Sequence, residues 1–122
     1  MIEMITDVPN GVVAFEAVGE VSAEDYRDVL DPAMKAALAS HDKISVVYVL
    51  ADRFTGYTGP AMFEDALVGT EHWRRWERVA VVTNTDWVRH TVHAFAWMLP
   101  GRIHVFSDGQ RDAAFAWAES GR

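Results

Sequence analysis

The chain has 122 residues, half of them apolar and with five tryptophans, which suits one domain over 1–122 with one core and leaves no room for a second. Its 11 basic and 18 acidic side chains give a formal charge of −7, and such a surface repels phosphates, which argues against nucleic acid and anionic membrane as partners. Cysteine is absent, so disulfides, thiol redox chemistry and cysteine-based zinc sites are excluded.

No stretch approaches the ~20 apolar residues of a membrane span. MIEMITDV at the start lacks the basic-then-apolar pattern of a secretory signal. The expected setting is the cytoplasm.

Taken in order, Ile2 and Met4 alternate weakly in residues 1–6, and VVAFEAV (12–18) reads as a strand. Pro9-Asn10-Gly11 between them is a turn signal, so an antiparallel hairpin is expected. Ser22 is a helix N-cap with Asp25 at the capping-box position. Tyr26, Leu30, Ala33, Ala37 and Leu38 follow at helical spacing, and Asp31-Pro32 predicts a kink or a restart.

ISVVYVL (44–50) is apolar without alternation, the pattern of a strand buried on both faces in a parallel sheet. VAVVT (79–83) repeats it and RIHVF (102–106) does so more weakly. Helical segments separate them. Residues 60–74 turn Phe63, Ala66, Leu67 and Trp73 inward; Asp86 caps a run to Leu99; Asp108 caps a last run through Glu119. A hairpin followed by helix–strand units predicts an α/β fold, a mixed and mainly parallel five-stranded sheet in the order β-β-α-β-α-β-α-β-α with helices on its faces.

Four stretches add a likeness to that pattern: Glu24-Asp25-Tyr26 with Leu30, Pro32 and Leu38; ERVAVV (77–82); Trp87; and Phe106-x-Asp108 followed by AAFAW (113–117). Together they resemble the SpoIIAA-like proteins, relatives of STAS domains and of the Sec14/CRAL-TRIO-type lipid-binding fold. The resemblance implies the same layout and says little about chemistry, because a fold does not fix a function. It also implies, for the anti-sigma-factor antagonists of the STAS class, a phosphorylatable serine or threonine after the third strand, beside an aspartate. Thr55 and Thr58 fall in that region, but the Asp-x-Ser-x-x-x-Asp pattern is absent.

Two segments are candidate sites. The loop 52–60 leaves the carboxyl end of a buried strand, where open α/β sheets bind ligands. Asp52, Arg53, Phe54, Thr55, Tyr57 and Thr58 are its candidate ligand-binding residues. On the helix 86–99, at roughly 100° per residue, Trp87, Val88, Thr91, Val92, Phe95, Met98 and Leu99 form the core face. The opposite face carries Arg89, His90, His93 and Trp97, a tryptophan among histidines where a solvated helix has none, and this is the candidate partner or homodimer contact.

His90 and His93 stand at i, i+3, but Glu64, Asp65, Glu71 and His72, the candidate further ligands, show no recognisable metal spacing, so no metal is expected. No G-x-S-x-G elbow, P-loop or G-x-G-x-x-G occurs, so neither catalytic residues nor a cofactor are expected. The reading is a non-catalytic binding or regulatory module acting by protein–protein contact. The alternatives are a carrier of a small lipid-like or apolar ligand and, last, a small enzyme using the 52–60 loop, with Asp52 or Tyr57 of that loop or His90 of the helix as its acting residue.

Overall fold

A computed structural model of the chain describes residues 1–8, 11–50, 53–57, 76–95 and 102–120. The two continuous apolar segments lie side by side at its centre. They are β4 (Ile44–Leu50) and β6 (Trp76–Thr83), paired in parallel with Val46 beside Val79 and Val49 beside Val82. β2 (Val12–Ala17) and β7 (Arg102–Phe106) flank them, also in parallel. β1 (Ile2–Ile5) closes one edge antiparallel to β2, giving a five-stranded sheet in the order β1-β2-β4-β6-β7. The predicted mixed, mainly parallel sheet and its hairpin are therefore present; Pro9 and Asn10 lie outside the described residues, and Gly11 after them has a φ of +81°.

Period-two alternation sorts the strands into two cores. Val13, Phe15, Ile44, Val46, Leu50, Val79 and Val81 face one side, where Leu30, Met34, Leu38 and Val88 cover them. Val12, Ala14, Val47, Val49, Ala80 and Val82 face the other, under Ala114 and Ala118. Strand order explains the division. β2, β4, β6 and β7 follow one another without reversal, and right-handed crossovers put the described connecting helices, Asp31–Leu38 and Asp86–Phe95, on one face. The helix after β7 crosses to no further strand and covers the opposite face. This is α4 (Arg111–Ser120).

One helix about 10 Å wide cannot cover five strands about 4.8 Å apart. Beside α4, toward β7, His104 stacks on Trp117 with centroids 4.6 Å apart and planes 3° from parallel. Arg78 lies over the same ring at 4.9 Å and donates from Nη1 to the Trp117 carbonyl at 2.8 Å and to Ser120 Oγ at 2.9 Å. A guanidinium thus satisfies the end of the helix while shielding its aromatic.

After β2 the chain turns through β3 (Gly19–Val21) into α1 (Ala23–Asp25), a five-residue π turn at Tyr26–Leu30, and α2 (Asp31–Leu38). The expected capping box is formed: Ser22 N–H donates to Asp25 Oδ2 at 2.8 Å, and Asp25 N–H donates to Ser22 Oγ at 3.4 Å. Pro32 brings no restart. Leu30 is already helical at φ −73° and ψ −49°, and Asp31 pairs with Lys35 at 3.2 Å within α2. The wider π turn just before the proline accommodates a ring and a missing N–H that a regular helix would not.

Two predicted caps move by one residue. α3 spans Asp86–Phe95, and the Thr85 carbonyl accepts the Arg89 N–H, so Thr85 stands at the N-cap and Asp86 in the first turn. Ser107, not Asp108, precedes the 3₁₀ turn Asp108–Gln110 that leads into α4; its N–H and hydroxyl both reach Gln110 Oε1. The helix predicted over 60–74 lies outside the described residues. Among those described, no helix is long and apolar enough to cross a membrane.

Candidate functional site

The segment expected to be a loop after β4 contains a strand. β5 (Phe54–Tyr57) pairs in parallel with β3, forming a second, two-stranded sheet. β3 follows β2 and β5 follows β4, so this ribbon extends the parallel β2/β4 pair beyond the sheet's carboxyl edge. Gly19 at a φ of +63° and Gly56 at +144° allow the backbone to bend there, in regions that cost a side-chain-bearing residue. The edge has no topological switch point among the described strands, because β2, β4, β6 and β7 run in a single direction of order. The crevice that supported a ligand site at 52–60 is therefore not built by reversal of the sheet.

Arg53 precedes β5, and carboxylates already occupy it. Its Nε and Nη2 donate to the two oxygens of Glu16 at 3.3 and 3.1 Å, and Nη2 also donates to Glu3 at 2.8 Å. Hydrogen bonds first to Glu16 and then to Glu3 raise the guanidinium pKa above its already high ordinary value. Sequence reading missed both glutamates. Glu3 and Glu16 lie opposite each other in the β1/β2 register, which was the available signal: two like charges facing across strands need a cation between them.

The other 52–60 candidates divide. Phe54 is half-buried against the core that α2 covers, Thr55 is exposed, and Tyr57 pairs through its backbone with Val21. Asp52 and Thr58 lie outside the described residues. On α3, His90 and His93 are exposed and Arg89 is half-buried, the polar face expected for them. Trp97 lies outside the described residues, as do Glu64, Asp65, Glu71 and His72. Among the described residues no three metal-ligating side chains converge.

Trp87 departs from expectation. It belongs to the predicted core face, yet it is 47% exposed while its neighbour Val88 is 1% exposed. At 100° per residue Trp87 lies roughly 80° from the middle of the apolar arc, in the first turn of the helix. Its ring meets Phe54 instead, with centroids 6.1 Å apart and planes inclined by 40°, within the range of a favourable aromatic pair. The two candidate segments, separate in the sequence reading, thus touch at one point: β5 and the start of α3.

At the ribbon's other end, the Met1 ammonium donates to the Val18 and Glu20 carbonyls and pairs with Asp25 at 3.3 Å. Burial pushes the Asp25 carboxyl upward, but hydrogen bonds from the Ser22 backbone, the ammonium and the Ser22 hydroxyl outweigh it and leave the pKa below the ordinary aspartate value. Among the described residues, Glu3, Glu16, Arg53, Asp25 and the Met1 ammonium thus hold strands and ribbon together at this edge.

A mainly parallel sheet of this order, with the described crossover helices on one face and a terminal helix on the other, is a mixed α/β domain of SpoIIAA-like fold. The SpoIIAA-like family model matches residues 12–119, and the chain belongs to that family. A crystal structure from Shewanella loihica PV-4, an uncharacterised protein of the DUF3478 family with a SpoIIAA-like fold, is similar at 25% identity and a TM-score of 0.72. The match covers 97% of this chain and 92% of that one. The unphosphorylated anti-sigma factor antagonist SpoIIAA is similar in fold at 13% identity and a TM-score of 0.55, over 93% and 96% of the two chains. A search of curated proteins returns no match.

Proposed function

We propose that this protein is a non-catalytic binding module that engages a protein partner through the carboxyl edge of its sheet. The contact is built from Phe54 and Trp87, with the Arg89, His90 and His93 face of α3 beside them. The observation that carries the reading is the half-exposed Trp87 resting on Phe54. Large aromatics of this kind anchor protein interfaces, because they bury much area for little rotamer entropy. Glu3, Glu16 and Arg53 nearby are paired with one another, which supports recognition as the use of this edge. A second copy of the chain is the first partner to test, and the cytoplasm is the setting that fits a cysteine-free, acidic chain.

The test places a photo-crosslinking residue at position 87 and, as a control, at the exposed position 112 on α4. A discrete crosslinked product from position 87 alone is expected, with its mass showing whether the partner is a second copy. Equal or absent crosslinking at both positions overturns the reading. The apolar-ligand carrier ranks second, because Phe15, Met34, Leu50 and Val88 fill the space between sheet and helices on that face. Native mass spectrometry of the purified chain, retaining or lacking an added mass, separates the two.

A further inference from the structure

Arg53 and Phe54 are consecutive, yet they serve opposite sides of the sheet. Glu16, which holds Arg53, is on the same face of β2 as Val12 and Ala14, the face that α4 covers. Phe54 packs into the core of the other face, beside Trp87. The peptide joining them passes over the carboxyl edge, where the Arg53 carbonyl accepts the Gly19 N–H and stitches β5 to β3. A ribbon of three and four residues has too few ladder bonds to stand alone and depends on tethers. The β3 end is tethered by the Met1 ammonium. The β5 end is tethered by Arg53.

We infer that the Glu3–Arg53–Glu16 trio is a charge latch that holds the β3/β5 ribbon down and so keeps Phe54 against Trp87. The geometry makes the latch decisive rather than incidental. Glu16 is only 11% exposed and takes a two-pronged contact, while Arg53 itself is 54% exposed and open to competition from solution. Loss of the guanidinium removes a tether and also sets Glu3 against Glu16, which face each other in register. An event that draws Arg53 away on one face therefore frees the aromatic pair on the other. That this pair meets a partner rests on the reading above; the latch itself does not.

Hydrogen exchange of the full chain, read by mass spectrometry without any partner, tests it. Arg53→Gln is expected to speed exchange over 19–21 and 54–57 by roughly three- to tenfold, with 44–50 and 79–83 as protected as in the wild type. Arg53→Lys should restore part of the protection, and the indole N–H signal of Trp87, assigned with Trp87→Phe, should move in Arg53→Gln. Adding Glu16→Gln to Arg53→Gln should return part of the protection, since it removes the repulsion between Glu3 and Glu16 that loss of the guanidinium exposes. Unchanged ribbon exchange in Arg53→Gln, or acceleration spread equally to the central strands, overturns the latch. Neither result bears on crosslinking at position 87, so the two ideas fail separately.

Discussion

Phe54 and Trp87 meet 6.1 Å apart across two chain segments separated by the whole of β6, one ring half-buried and the other 47% exposed. The pair lies where the first turn of α3 overhangs the sheet, so Trp87 contributes to a surface and Val88, one residue on, to the core. Stability measurements should show the split. Val88→Ala removes two buried methyl groups and is expected to cost about 2 kcal/mol. Trp87→Ala, despite the larger deletion, should cost well below the roughly 3–5 kcal/mol of a fully buried tryptophan, because about half of it is already in water. Urea unfolding of both variants checks this; a Trp87 loss of about 4 kcal/mol or more would place Trp87 in the core after all.

Asp25 gives the fold a defined acid sensitivity. Its folded pKa lies below the ordinary value, so its stabilisation is fully present above the unfolded pKa of about 3.9 and is lost as pH falls through the folded one. The stability gap between wild type and Asp25→Asn should be widest near neutrality and close progressively below about pH 4. A gap that stays constant from pH 7 to pH 3 would show that hydrogen-bonding shape alone, and not the charge, is what the Ser22 cap and the Met1 ammonium hold.

Gly19 stands where β2 passes into the ribbon, at a φ of +63°, and nothing lies within 4 Å of the position a Cβ would take. Space is available, so any cost of Gly19→Ala comes from the backbone, about 1–2 kcal/mol for a left-handed residue. A change within a few tenths of a kcal/mol of zero in chemical denaturation would mean that the bend relaxes without loss.

How much of this was readable follows from where each signal resides. β4 and β6 announced themselves because a strand buried on both faces must be apolar at every position, and Ser22 with Asp25 because a capping box is local. The β3/β5 ribbon gave no such signal, since GEV and FTGY are too short for any period. The latch joins residues 37 and 50 positions apart, and only the pairing of β1, β2 and β4 brings them together. Helical periodicity gave the direction in which Trp87 points but not that the sheet ends before reaching it. Thr85 and Ser107 displaced the expected caps by one residue, the usual uncertainty of a helix end.

Ala114 and Ala118 are fully buried on α4 and rest on the ridge formed by Val47, Val49, Ala80 and Val82. Their lack of side-chain bulk is what lets the helix approach the middle of that face closely. Ala118→Leu adds three carbons where packing leaves no room, and about 1–3 kcal/mol of destabilisation is expected from overpacking. Ala116→Leu, on the exposed side of the same helix, should stay within about 0.5 kcal/mol of the wild type, because Leu and Ala differ little in helix propensity. Parallel urea titrations read both. An Ala118→Leu protein as stable as Ala116→Leu would mean that α4 rides loosely on the sheet, and that the Arg78–Trp117 contact, rather than the alanine seam, fixes its position.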